Sequence, residues 1–255
     1  MPAKRFVCLA NSRKLGGRCV AGIELDADFR PGGWIRLVSA RPGRELQAER
    51  LCTDGIDPKV LDVLEADVLR PAPLPYHPED WLVDPRRRWR RVSRVPWEFL
   101  RSLVSPQTAV WSTGFHSYFG YNDALPYTDA CRAGSSLRLI YLRELVLVVW
   151  APAMKFADPR RRVQGRFVLG DREYRLWVTD AAYEAEYLAR PDGEYRLHDC
   201  YVTISLSEPL DPGGGSRTQL PSQDGDDGIG VAHEKASWRC YKLLAAIIER
   251  TGEPA

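Results

Sequence analysis

Apolar and polar positions in this 255-residue chain alternate in short runs broken by glycine, proline and charged clusters. That period-two pattern predicts strands. Near the start, Phe6, Cys8 and Ala10 alternate against Val7 and Leu9, and a second apolar run covers residues 19–25. Between them lie Asn11, Ser12, Arg13, Lys14, Gly16, Gly17 and Arg18, the polar, glycine-containing tip of a β-hairpin. Residues 34–38 (WIRLV) predict a third strand, with Trp34 and Arg36 on one face. Residues 42–56 read as a short helical or irregular link. Residues 60–69 mix strand and helix signals, and Pro71, Pro73 and Pro75 favour a strand ending in an extended loop.

The second half repeats this scheme. Residues 137–150 alternate and then become wholly apolar, as a central barrel strand does. Residues 165–169 and 173–179 pair as a hairpin across Gly170 and Asp171. Asp180 caps a helix over 181–189, and 200–206 form another strand. Residues 236–250 predict a closing helix, with Trp238, Tyr241, Leu244, Ile247 and Ile248 on its buried stripe and Gly252 as its stop. The order of elements fits a mainly β, α+β chain of two OB-like β-barrels packed together, with a C-terminal helix. Residues 1–135 form the first domain, with a basic and aromatic extension. Residues 136–255 form the second, with an acidic insertion at 208–234. A single β-sandwich is the alternative.

The net charge of +2 argues against a uniformly basic surface, but the charges are segregated. Seven arginines (86, 87, 88, 90, 91, 94 and 101) stand against Asp84 and Glu98, whereas six acids between residues 208 and 234 stand against Arg217. The six cysteines are scattered without a C-x-x-C pair, and the most apolar run, 145–153, is too short to cross a bilayer. The expected setting is cytoplasmic, with reduced thiols, no membrane partner, no metal and no cofactor.

Nucleic acid, DNA first, is the expected partner. Arginine gives bidentate phosphate contacts and stacks on bases, and aromatic rings supply stacking platforms. The candidate contacts are Asn11, Ser12, Arg13, Lys14 and Arg18 at the hairpin tip, then Trp34 and Arg36. Arg86, Arg87, Arg88, Trp89 and Arg90 follow, with Tyr118, Phe119 and Tyr121 in the aromatic-rich stretch 111–127, and Arg160 and Arg161 in a basic loop. Each has a bland counterpart: a solvated turn, a barrel-wall ring or a charged surface. An enzyme acting on a (deaza)purine base in DNA or on a nucleotide is a second reading, with Cys8 or Cys19 as nucleophile, His77 or His116 as base and Asp180 orienting. A third is a scaffold that recruits a partner through the acidic insertion.

The segments CLANSRKLGGRCVAG (8–22), WIRLVS (34–39), LDVLEADVLRPAP (61–73) and YHPEDW (76–81) resemble the first half of the dual OB-containing domain family of prokaryotes. VTD (178–180), ISLSEP (204–209) and YKLLAAII (241–248) resemble its second half. The resemblance implies a nucleic-acid-binding or sensing module, associated with proteins of DNA-modification and anti-phage defence systems. It brings no catalytic residue set. The chain departs from the pattern at His77 and Asp80, where glutamine and asparagine are expected, and in the length of its acidic insertion.

Overall fold

Each half of the chain closes a small sheet on itself, and the computed structural model describes residues 3–104, 107–152, 159–211 and 237–250. The first barrel uses β1 (Ala3–Lys14), β2 (Gly17–Leu25), β3 (Pro31–Val38), β4 (Asp62–Pro71) and β5 (Asp80–Val83). They run in the order β1-β2-β3-β5-β4, and β4 pairs back onto β1. Only the β3–β5 contact is parallel within this ring. β6 (Arg90–Arg94) adds to β4 from outside.

The second barrel repeats the wiring with β8 (Leu137–Trp150), β9 (Arg162–Leu169), β10 (Arg172–Val178), β11 (Gly193–Leu206) and β12 (Arg239–Glu249). Its ring is β8-β9-β10-β12-β11, again with one parallel contact, β10–β12. A helix, α2 (Ala181–Leu188), joins its third and fourth strands, and Asp180 accepts the Ala182 and Tyr183 amides as its N-cap. A short strand β7 (Ala124–Pro126) and helix α1 (Tyr127–Arg132) lead into the second barrel. This is the five-stranded OB architecture built twice.

The same local need recurs at the centre of each second strand. Gly22 pairs with Cys8 and Ile35, and Gly165 pairs with Leu147 and Leu176. A Cβ at Gly22 would run into the Val7 carbonyl and the Phe6 ring, and one at Gly165 into the Leu244 side chain. The barrel wall is too close there for any side chain.

The closing segment corrects the sequence reading: it is a strand, not a helix. Its apolar run is continuous because both faces are covered. Leu244 and Ile247 enter the interior of the second barrel, while Ala245, Ala246 and Ile248 enter the seam between the barrels. A strand buried on both sides loses its alternation and reads like a buried helix. A bulge, in which β11 skips Ala245 between Thr203 and Ile204, shifts the register. Residues 212–234 of the acidic insertion lie outside the described residues, as do Gly252 and residues 155–158 of the basic loop.

The seam is a core of its own. Val7, Leu9, Ala10, Ala21, Ile23 and Val63 of the first barrel meet Leu137, Leu139, Tyr201 and Ile248 of the second. Polar bonds stitch its rim: Thr203 Oγ1 donates to the Leu9 carbonyl at 2.6 Å, and the Arg13 amide to Thr179 at 2.7 Å. Trp97 Nε1 donates to the Ile248 carbonyl at 3.2 Å.

Candidate nucleic-acid interface

The outer face of the second barrel follows from strand alternation. On β9, Val163, Gly165 and Phe167 point inward, which leaves Arg162, Gln164 and Arg166 outside. On β10, Tyr174, Leu176 and Val178 point inward, which leaves Glu173, Arg175 and Trp177 outside. Register then lines these residues up in rows across the strands. Trp177, Gln164, Val148 and Glu194 form one row. Arg175, Arg166, Val146 and Arg196 form the next. Trp150 opposes Arg162 on the other side of the first row. Adjacent rows are about 7 Å apart and adjacent strands about 4.8 Å.

Rings continue from this sheet onto a loop laid across it. Trp150 stacks on Trp177 with centroids 5.6 Å apart, Trp177 meets Phe119 at 6.3 Å, and Phe119 meets Tyr118 at 4.8 Å. The Arg162 guanidinium lies 5.8 Å from the Trp177 ring centre. The file Tyr118–Phe119–Trp177–Trp150 thus combines flat faces with a cation, the pairing that holds unpaired bases.

Several bonds fix the loop. Tyr121 and Arg175 exchange backbone hydrogen bonds of 3.2 and 2.9 Å, so the loop adds to the edge of β10. Gln164 Nε2 donates to the Phe119 carbonyl at 2.7 Å, and Asn122 Nδ2 to the Glu173 carbonyl at 2.9 Å. Asn122 itself sits at φ +49°, a left-handed turn that asparagine tolerates. Beneath, the buried Lys242 donates from Nζ to the Ser112 carbonyl at 2.7 Å. Burial pushes its ammonium down to about 7, against the opposing pull of Asp123.

The arginines of the face are paired with carboxylates at its surface. Arg166 bonds Glu194 at 2.9 Å, Arg175 bonds Glu173 at 2.8 Å, and Arg196 bonds Glu144 at 2.8 Å. Exposed pairs of this kind are worth only about 0–1 kcal/mol, so an arriving phosphate displaces such a carboxylate at small cost.

The candidates read from the sequence divide between this face and other places. Tyr118, Phe119 and Tyr121 are in the loop of the face. Arg13 is held by Glu184 through bonds of 2.7 and 2.8 Å, and Lys14 by Glu208 at 2.9 Å, so the hairpin tip ties the first barrel to the second. Ser12 is buried and bridges to Asp180, Asn11 Nδ2 donates to Pro58, and half-buried Arg18 pairs through its backbone with Leu46. Trp89 is wholly buried in the first barrel's interior, its ring edge-on to Phe6, so no base can reach it. Arg86 is bound to Asp84, whose carboxyl these bonds lower to about 2. Arg88 donates to Ala48, and Arg90 pairs with Glu65. Arg87 is exposed. These 86–90 contacts all stay within the first barrel, whereas the ring file belongs to the second. Arg160 is exposed, and Arg161 braces the end of α2 through Leu188, Arg190 and Asp192.

Arg36 has a different role from the one its spacing suggested. It is 2% exposed and bonded to Glu79 at 2.9 Å, with Ser136 of the second half closing the triangle. Asp80 lies 3.7 Å from Arg36 and 3.3 Å from Arg44. Burial pushes the Asp80 carboxyl up to about 6, against the pull of the two guanidiniums. The YHPEDW segment is therefore a buried charge cluster at the seam. Trp34 packs half-buried against the same seam.

The nucleophile–base arrangement does not assemble. Cys8 is buried and its thiol pushed up, chiefly by burial and then by Asp62. Cys19 is half-buried on β2. His77 is buried with Nε2 bonded to the Leu206 carbonyl at 3.0 Å, and burial, then Arg36, holds it well below the usual imidazole range. His116 Nδ1 accepts the Asn122 amide at 2.8 Å and its ring stacks on Tyr121. Asp180 accepts the amides of α2 and of Ile247, and burial raises it. No hydrogen bond joins any two of these five among the described residues, and no described cluster of three metal-ligating side chains exists. No described helix is long and apolar enough to cross a membrane.

Trp150, Trp177 and Gln164 carry no mark in the sequence because each reads as an ordinary strand residue, and Arg162, which reads as the end of the basic loop, is the first residue of β9. The signal that finds them is register across β8, β9 and β10. A family model for a dual OB-containing domain matches residues 4–247, and the chain belongs to that family. No curated protein and no solved structure matches it significantly.

Proposed function

We propose that this dual OB-containing chain binds single-stranded nucleic acid on the outer face of its second barrel. OB barrels use the face of their second and third strands for oligonucleotides, and here those strands are β9 and β10. The observation that carries the reading is the file Tyr118–Phe119–Trp177–Trp150 on that face. Bases stack on the rings, and Arg162, Arg166 and Arg175 meet the phosphates. An unpaired strand fits better than a duplex, because a duplex hides its base faces. The family's association with DNA modification and defence makes DNA the first ligand to try. Fluorescence anisotropy with single- and double-stranded DNA and RNA tests it. Single strands should bind with an affinity that falls as salt rises. Equal preference for duplexes, or no binding at any salt, would exclude the reading.

A further inference from the structure

Next to the arginine row, on the same outer face, the sheet splits. β8 pairs with β9 only over residues 146–150, while its earlier part pairs only with β11. Between that freed part of β8 and the β9–β10 turn lies an open groove of about 870 Å³. Arg143, Arg166 and Arg196 line it together with Glu144 and Glu173, with Tyr141 and Val168 on its rims. Among the described residues Arg143 has no carboxylate partner, and Arg166 and Arg196 hold theirs at the exposed surface. Val168 is 63% exposed and Tyr141 38%. The corresponding fork in the first barrel, at β1 and the β2–β3 turn, holds a smaller groove of about 370 Å³.

We infer that this groove is a phosphate track: it takes the backbone of the strand whose bases stack on the ring file. The inference rests on the proposed single-strand binding and adds where the strand goes and how long a piece is held. From Trp150 to Glu144 the face runs six residues along β8, about 20 Å. Rings occupy one end of that length and arginines the other. A strand stacked on the rings and leaving along the sheet passes over Arg166 and then between Arg143 and Arg196. The groove sets three arginines against the carboxylates of Glu144 and Glu173 and has no exposed ring pair, so it suits sugar and phosphate better than bases. The held piece is about four nucleotides, the short end of what OB folds occupy.

The test is anisotropy competition with oligo-dT of two to twelve nucleotides at two salt concentrations. It compares the native chain, Arg143→Gln/Arg196→Gln and Trp177→Ala. For the native chain, affinity should rise up to about four nucleotides and then level off. The double arginine variant should bind dinucleotide normally but lose about tenfold or more on tetranucleotide. Its salt slope should fall by about 1.4, which is two phosphate contacts at about 0.7 each. Trp177→Ala should weaken every length. If the arginine variant keeps native affinity and slope at all lengths while Trp177→Ala loses binding, the track is wrong and the stacking face stands. If the native chain binds none of the oligonucleotides, both fall together.

Discussion

The two barrels carry the same pair of residue types at the same place and use them in opposite ways. The outer face of the third strand has Trp34 and Arg36 in the first barrel, and Arg175 and Trp177 in the second. In the first, Arg36 is sealed among Glu79, Asp80 and Ser136, and Trp34 rests on the seam. In the second, the face is crossed by the loop that carries Phe119, Arg175 pairs at the surface with Glu173, and Trp177 joins a ring file. A repeated fold is therefore not a repeated site. The first barrel gives its binding-type face to docking its neighbour, and the second keeps its own open.

Burial sets the size of each expected effect, and the largest separates the two arginines. Arg36→Ala leaves the Glu79 and Asp80 carboxylates buried without their main cation and should cost about 3–5 kcal/mol of stability by urea unfolding. Arg175→Ala removes one exposed pair and should cost less than about 1 kcal/mol. Equal losses would break the contrast between the faces.

The tryptophans should divide by readout. Trp177→Ala should weaken single-strand binding by about 1–3 kcal/mol while leaving the fold intact by circular dichroism. Trp34→Ala should lower the unfolding midpoint and leave oligonucleotide affinity unchanged. A loss of affinity at Trp34 would mean that the first barrel also touches the ligand.

The buried cluster also gives the first barrel a pH response. Asp80 has its carboxyl raised from 3.8 to about 6. Between those values the folded chain holds a proton that the unfolded chain has released, so its contribution to stability falls as pH rises through that window. Asp80→Asn should remove that slope, about 2 kcal/mol in total, in urea titrations from pH 4.5 to 7.5. The smallest effect on binding concerns the loop. Gln164→Leu removes its bond to the Phe119 carbonyl and should cost about 1 kcal/mol of binding through a less ordered ring file.

Local chemistry made much of this legible in advance. Gly170 and Asp171 set the β9–β10 hairpin, Asp180 capped α2, and the alternation of 137–150 gave β8. The segments at 8–22, 34–39 and 241–248 carried the family. The misreadings share one cause. Trp89 among arginines looked like a stacking residue and is core, and the 239–249 strand looked helical because both its faces are covered. Arg13 and Lys14 looked free and are bound to Glu184 and Glu208, 171 and 194 residues away in sequence.

By itself, the sequence determined two OB-like barrels with four strands of each, the β9–β10 turn, the α2 cap, and a supply of arginines and rings. Those depend on periodicity and on interactions between near neighbours. Which barrel face would be covered, and so which arginine–tryptophan pair would stay open, was decided only when the halves packed together. Burial belongs to the whole tertiary arrangement, and the same guanidinium is a structural tie in one setting and a ligand contact in another.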